Sequence, residues 1–283
     1  MEKAIKKFWP VFVLPTLAAF IIGFIWPFVW GIGLSFCKFT TVNNVQFVGL
    51  SNYFNIWIDN TFTHAFVFTT LFTIVSTVLI NVFAFLLALL LTRHVRGTNI
   101  FRTVYFMPNL IGGVVLGYIW QILLNGVLTL LEKPLLSLNA TYGFWGIVIL
   151  MCWQQIGYMM IIYIAGLQNV PPDLIEAARI DGPNNRQVLT RVKIPMVMPS
   201  ITICTFLTLT NSFKLFDQNL SLTGGEPAKQ SQMLALNIYD TFYARSGPQW
   251  KGIGQAKAVV FFLAVVVIAL IQLRLTRSKE VQQ

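Results

Sequence analysis

Gly166-Leu-Gln-Asn-Val-Pro-Pro-Asp-Leu-Ile-Glu-Ala-Ala-Arg-Ile-Asp-Gly-Pro-Asn-Asn-Arg-Gln-Val-Leu-Thr-Arg-Val-Lys-Ile-Pro195 is a polar, proline-punctuated stretch between two long apolar runs. Pro171, Pro172 and Asp173 supply a helix start, because proline suits a first turn and a carboxylate suits the positive end of the helix dipole. Leu174 to Ile180 then reads as a short helix with the small residues Ala177 and Ala178 on its surface. Gly182 ends it, and Pro183 opens a second helix that runs into Pro195. The expected shape is a helix–turn–helix knuckle. Two alanines let another protein's surface approach closely, and Glu176 and Asp181 add fixed charge to such a contact. The alternative is an interfacial helix that merely joins two spans.

Outward from this knuckle the chain is apolar. Of its 283 residues 56% are hydrophobic and 11% charged, with 24 Phe and 8 Trp, against about 25% charged in ordinary globular proteins. Too little polar side chain is present to clothe a water-soluble surface of this size. The fold class expected is all-α, a polytopic membrane protein. A bilayer-crossing helix needs about 20 mostly apolar residues, and six runs qualify, near 8–36, 65–91, 104–124, 145–166, 197–216 and 258–273. The whole chain, 1–283, reads as one transmembrane domain with the segment 167–195 projecting from it. The first run follows Lys3, Lys6 and Lys7 and has no A-x-A-like cleavage site, so an uncleaved signal-anchor helix is expected. Lys257 and Arg274 flank the last run and are expected to snorkel to the two interfaces.

Lys and Arg concentrate in one set of connections: the amino tail, Arg93 to Arg102, Arg179 to Lys193, and the carboxyl tail from Arg274. Their excess marks the cytoplasmic side and places both termini and the knuckle there. The formal charge of +10 is accounted for by this bias, and no soluble domain remains to carry nucleic-acid binding. On the other side lie 38–64, 125–144 and about 217–257. The last is rich in turn formers such as Thr223-Gly224-Gly225-Glu226-Pro227, and reads as a docking or gating loop or as a plain solvent loop.

Polar side chains inside spans are costly and are functional candidates by default. In the fourth run stand Trp153, Gln154, Gln155 and Tyr158, with Gln154 and Tyr158 one turn apart. In the fifth, Thr210, Lys214 and Asp217 share one helical stripe with Asn211 at its edge, while Thr205, Thr208 and Ser212 fall on another. The first stripe is favoured because it carries the amide and the charge. Amides bond hydroxyls from either side and aromatic rings pack on the apolar faces of sugars. Lys214 either attracts a phosphate or uronate or pairs with Asp217 three residues on. Serine and threonine hydroxyls satisfied within their own helix, and amides bridging helices, remain the bland alternative.

The chain contains no Gly-Lys dipeptide, so it holds no phosphate loop of the Walker type. The three cysteines, Cys37, Cys152 and Cys204, are widely spaced, and the only histidines are His64 and His94. No nucleophile set, disulfide framework or metal site is suggested. The chain is expected not to be an enzyme and to hold no metal or cofactor itself.

Glu176-Ala177-Ala178, then Asp181-Gly182, then nine residues and Val192-Lys193-Ile194-Pro195 resembles the EAA signature of binding-protein-dependent ABC importer permeases. Phe47-Val-Gly-Leu-Ser-Asn-Tyr53, Phe101-Arg-Thr-Val-Tyr-Phe-Met-Pro108, Gly166-Leu-Gln-Asn-Val-Pro171, Ser212-Phe-Lys-Leu-Phe-Asp217 and Leu222-Thr-Gly-Gly225 are similar to the sugar-permease branch that includes the maltose and glycerol-3-phosphate importers. The resemblance implies a six-span type I permease in a prokaryotic cell (inner) membrane. It further implies a second homologous permease, two copies of an ATP-binding subunit that carry ATP and Mg, and an extracytoplasmic solute-binding protein. Glu176, Ala177, Ala178, Asp181 and Gly182 would contact the ATPase. Gln154, Gln155, Tyr158, Thr210, Asn211 and Lys214 fall where maltose-type permeases touch sugar, though Gln154, Thr210 and Lys214 differ in side chain from the maltose pattern. An importer for an anionic solute such as glycerol-3-phosphate, a secondary transporter, and a membrane subunit that moves no solute are the alternatives.

Overall fold

The structure is a computed structural model that describes residues 2–41, 43–92, 97–180 and 184–277. In chain order, α1 (Glu2–Phe20) passes through a π turn into α2 (Trp26–Ser35), and a two-stranded antiparallel hairpin follows, β1 (Cys37–Phe39) with β2 (Val45–Phe47). Then come α3 (Ser51–Ile58), α4 (Asn60–Leu91), α5 (Thr98–Phe106), α6 (Gly113–Leu130) and α7 (Ala140–Gln168). The knuckle region holds α8 (Pro172–Ile180), α9 (Asn185–Val188) and α10 (Ile194–Met196). Beyond it stand α11 (Met198–Phe213), α12 (Asp217–Leu222), α13 (Leu234–Tyr239) and α14 (Pro248–Arg277). Among the described residues, five helical stretches are long and apolar enough to cross a membrane: Trp9–Ser35, Asn60–Leu91, Gly113–Leu130, Ala140–Gln168 and Pro248–Arg277. Asn185–Met196 and Met198–Phe213 make a sixth if taken as one path bent by 70°. Among the described residues the architecture is helical apart from the hairpin.

The third apolar run does not form one helix. Pro108 has no N–H to donate and sits in a 3-10 turn, Met107–Leu110, so α5 stops at Phe106 and the membrane-length helix starts at Gly113. The last span also starts earlier than hydropathy suggests, at Pro248.

Two compact units emerge. One comprises residues 1–60 and 238–262. Here Asn52 lies buried and its Nδ2 donates to the carbonyls of Ser35 at 2.8 Å and Cys37 at 2.9 Å, fixing the turn from α2 into the hairpin. Lys251 Nζ donates to the Thr40 carbonyl at 2.7 Å. Lys257, expected at a membrane interface, is instead 0% exposed. Its ammonium stands 2.8 Å from Asp59 Oδ2 and donates to Thr241 Oγ1 at 2.9 Å, while Arg245 reaches the same carboxylate at 3.2 Å and lies over the Trp250 ring. A charge can be buried only when it is paired and hydrogen-bonded, and Asp59 supplies what an interface would otherwise have to. Lys257→Met is therefore expected to destabilise the protein by about 3 kcal/mol, the low end for breaking a buried pair because Arg245 still faces the stranded carboxylate. Unfolding midpoints in detergent check this, and Asp59→Leu added to Lys257→Met should recover part of the loss.

The other unit comprises residues 61–237 and 263–283. Ile80, Ala84 and Ala88 of α4 pack in one cluster with Ile147, Leu150, Met151, Met159 and Tyr163 of α7. Inside it Asn81 links three helices: its Nδ2 donates to Thr208 Oγ1 at 2.8 Å and its Oδ1 accepts from Tyr163 Oη at 2.6 Å. α5 lies directly on α7 at Gly157, where any Cβ would collide with the Tyr105 carbonyl. α12 fits into a notch made by Gly113 and Gly117 of α6; a Cβ on Gly113 would stand 2.8 Å from the Asp217 Cβ. The buried Asn219 of α12 fixes the segment that follows, donating to the Ser231 carbonyl at 2.8 Å and accepting from Met233 N at 2.9 Å.

Candidate functional site

Two places within the second unit gather the residues singled out from the sequence. The first is the knuckle. Pro172 starts α8 with Asp173 in its first turn. Ile175 packs inward against the hydrophobic cluster, whereas Leu174 is 45% exposed and Glu176 is exposed. Ala178 is half-buried. Asp181 and Gly182 lie outside the described residues, as does Pro183; the backbone of Ala177 belongs to α8. The second helix is capped by Asn184: its Oδ1 accepts from Gln187 N at 2.9 Å, and Gln187 Oε1 accepts from Asn184 N at 2.8 Å. This reciprocal box starts α9 at Asn185. A π turn over Leu189–Lys193 and Pro195 in α10 lead to the 70° bend before α11.

The second place is a cavity of about 330 Å³ lined by Met151 and Gln155 of α7, Asn211 of α11, the turn Lys214–Phe216, and Asp217 and Gln218 of α12. Gln155, Asn211 and Lys214 meet there. Gln154, Tyr158 and Thr210 do not line it. Gln154 is buried and spent on structure: its Nε2 donates to the Ile111 carbonyl at 3.3 Å and its Oε1 accepts from Gln218 Nε2 at 2.7 Å. The Tyr158 ring sits 6.3 Å from that of Phe106. Thr210 Oγ1 turns back onto its own helix, donating to the Phe206 carbonyl at 2.8 Å. The expected stripe of Thr210, Lys214 and Asp217 fails because α11 ends at Phe213. The chain then turns, and helical spacing no longer decides what Lys214 and Asp217 face.

On the other polar stripe Thr208 is structural, fully buried and hydrogen-bonded to the Cys204 carbonyl and to Asn81, and Ser212 is fully buried. Gln218 was not visible as a cavity residue in the sequence. A glutamine just beyond an apolar run was the one available signal.

The polar lining is unspent. Gln155 is 9% exposed and its buried Oε1 has no hydrogen-bond partner. Among the described residues, no hydrogen bond or ion pair engages the side chains of Asn211, Lys214 or Asp217, so of the two readings of Lys214 the pair with Asp217 is not formed. Buried polar groups are nearly always satisfied, and an orphan facing a cavity marks a place for a bound molecule or water. Among the described residues no cluster of His, Cys, Asp or Glu suits a metal ion.

Gln218→Leu is expected to cost about 1–3 kcal/mol, since it leaves Gln154 Oε1 buried without its donor. Changing both glutamines to leucine should cost less than the sum of the single changes. Thermal unfolding of the four forms in detergent measures the coupling.

A profile of the "binding-protein-dependent transport system inner membrane component" family matches residues 80–280, which include both the knuckle and the cavity. The chain belongs to this family. It is 43% identical over 280 residues to the probable starch degradation products transport system permease protein AmyD of Thermoanaerobacterium thermosulfurigenes, a match covering 96% of this chain and 94% of the relative. It is 28% identical to the sn-glycerol-3-phosphate transport system permease protein UgpA of Brucella abortus, over 97% and 96% of the two chains. Among solved structures, a bacterial ABC transporter that imports the acidic polysaccharide alginate contains a similar chain, with a TM-score of 0.81, 20% identity and 98% coverage of both chains. At that identity the match establishes the shared fold. The family is one of membrane permeases, so the chain is a transport component rather than an enzyme.

Proposed function

We propose that this chain is one permease half of an ATP-driven importer for a neutral sugar or small oligosaccharide, and that the cavity at Gln155, Asn211 and Lys214 lies on its substrate pathway. The observation that carries the reading is the set of unpartnered amides and charges around about 330 Å³ of space, a lining that hydroxyl groups satisfy from both the donor and the acceptor side. The permease at 43% identity, named for starch degradation products, supports the carbohydrate class. A second homologous permease completes the pathway. An external binding protein delivers the solute, and two ATP-binding subunits, which hold ATP and Mg, seat against the Glu176–Gly182 knuckle. The knuckle and both termini face the cytoplasm of a prokaryotic cell, a reading supported by the excess of Lys and Arg in those connections.

In the mechanism, closure of the ATPase pair pulls the knuckle, and α8 transmits the motion through Ile175 to the cluster between α4 and α7. Access to the cavity thereby switches between the two sides of the membrane. The test is uptake of labelled maltotriose by proteoliposomes that hold the whole assembly and its binding protein. ATP-dependent accumulation is expected; accumulation that ignores ATP and follows an ion gradient would identify a secondary transporter instead. Lys214 in the cavity gives the second reading, an anionic solute, its specific basis. Uptake of glycerol-3-phosphate in place of maltotriose would establish that reading.

A further inference from the structure

The cavity holds one ammonium, Lys214, and one carboxylate, Asp217, separated by two residues. Side chains three apart on a continuous helix pair readily. Here α11 ends at Phe213 and α12 begins at Asp217, so the two belong to different helices. Both are exposed to the cavity, and among the described residues neither is engaged in an ion pair. The start of α12 is held in place by the Gly113 notch, against which the Asp217 Cβ packs, and by the Gln218–Gln154 hydrogen bond at 2.7 Å. The carboxylate is thus carried at the anchored start of α12, and not paired with Lys214.

From this arrangement we infer that Asp217 is a specificity-determining residue: its carboxylate offsets Lys214 and makes the cavity select uncharged polyhydroxy solutes over acidic ones. The inference rests on the carbohydrate reading above. A sugar hydroxyl donates to the carboxylate and its oxygen accepts from the ammonium, so a neutral carbohydrate satisfies both groups. A uronate or phosphate satisfies Lys214 but brings a second negative charge beside Asp217. A like-charge encounter at close range is repulsive even at an open, hydrated site, and more so beside the protein wall. Discrimination built on such repulsion is a penalty against the wrong solute and not an extra contact with the right one. Gln155 and Asn211 are indifferent to charge and serve either class.

Equilibrium binding of labelled maltotriose and labelled trigalacturonate, matched in length, to the complete permease–ATPase complex in nanodiscs without binding protein tests this. The wild-type complex is expected to prefer maltotriose by about tenfold or more, the scale of one removed or added charge contact. Asp217→Asn, nearly isosteric, should shrink the preference at least about threefold, while Lys214→Gln should enlarge it. Asp217→Glu keeps the charge and should keep the preference, which separates lost charge from disturbed packing. A preference ratio that Asp217→Asn leaves within about twofold of wild type overturns the inference and leaves the carbohydrate reading standing. A wild-type complex that prefers trigalacturonate overturns the inference, and one that binds neither sugar overturns the carbohydrate reading and the inference with it.

Discussion

Gly157→Ala is expected to abolish recovery of a folded, monodisperse protein. A Cβ at this position would collide with the carbonyl oxygen and carbon of Tyr105 and stand 2.9 Å from the Phe106 nitrogen. These are backbone atoms, so no rotamer change relieves the clash. α5 would have to move off α7, taking with it the Tyr158–Phe106 ring contact and the turn that leads to α6. Overpacking a rigid site costs about 1–3 kcal/mol or more, and a backbone obstacle puts this substitution at or beyond the upper end. The measurement is the fraction eluting as a single species after detergent extraction, together with the unfolding midpoint. Gly126→Ala in α6 is the comparison, because a Cβ there meets nothing within 4 Å. It should be neutral or slightly stabilising, since alanine is the better helix former by about 1 kcal/mol. A Gly157→Ala protein that extracts and melts like wild type would mean that α5 does not lie against α7 as described.

How much of this was legible in the sequence depends on which force decided each element. Long apolar runs announced α4, α7 and the first span because burial in hydrocarbon dominates there. The third span was misplaced by several residues for an identifiable reason. Gln121 and Asn125 both sit within the true helix, and Asn125 ends the apolar run early, yet both are satisfied by tertiary partners: Gln121 Nε2 donates to the Leu222 carbonyl at 3.0 Å and Asn125 Oδ1 accepts from Leu136 N at 3.0 Å. A window along the chain counts the cost of those amides and cannot see the compensation. Lys257 was misjudged in the same way, since its partner Asp59 lies far away in sequence. The start of α8 was readable because its determinants are local, proline at the start and an acidic first turn; the Asn184–Gln187 box that starts α9 is equally local but was passed over in favour of Pro183.

The candidate site was half readable. Gln155, Asn211 and Lys214 announced themselves as polar residues in apolar runs, and all three line the cavity. Gln154, Tyr158 and Thr210 bore the same signal but face elsewhere. Adjacent helical residues point about 100° apart, and helical spacing alone cannot say which direction is empty. Gln218 and Asp217 owe their place to α12, a helix of six residues too short to show a period. Its position is set by the absence of side chains on Gly113 and Gly117 of another helix. Information of that kind is tertiary and appears only when the two segments meet.

Glu176→Lys is expected to lower ATP-driven solute uptake by about tenfold or more while solute binding persists. Glu176 is exposed on α8, next to Ile175, which is seated in the hydrophobic cluster. The same short helix thus presents a charge outward and an anchor inward. A rigid element anchored in that way passes on a push without absorbing it in side-chain motion, as a two-state change in access requires. Reversing the charge at the proposed ATPase contact places a lysine where a carboxylate is expected to be received, and like-charge juxtaposition at an interface costs several kcal/mol. Because the change is exposed and lies outside the cavity, folding and solute affinity should stay near wild type, and the loss should fall on coupling. Proteoliposome uptake, ATP hydrolysis and equilibrium binding, measured on one preparation, separate these. Undiminished uptake with Glu176→Lys would show that the force enters elsewhere. A parallel loss of solute binding would show that α8 supports the cavity and does not drive it. Glu176→Gln removes charge without inverting it and should fall between the two, which a purely steric account of the knuckle would not produce.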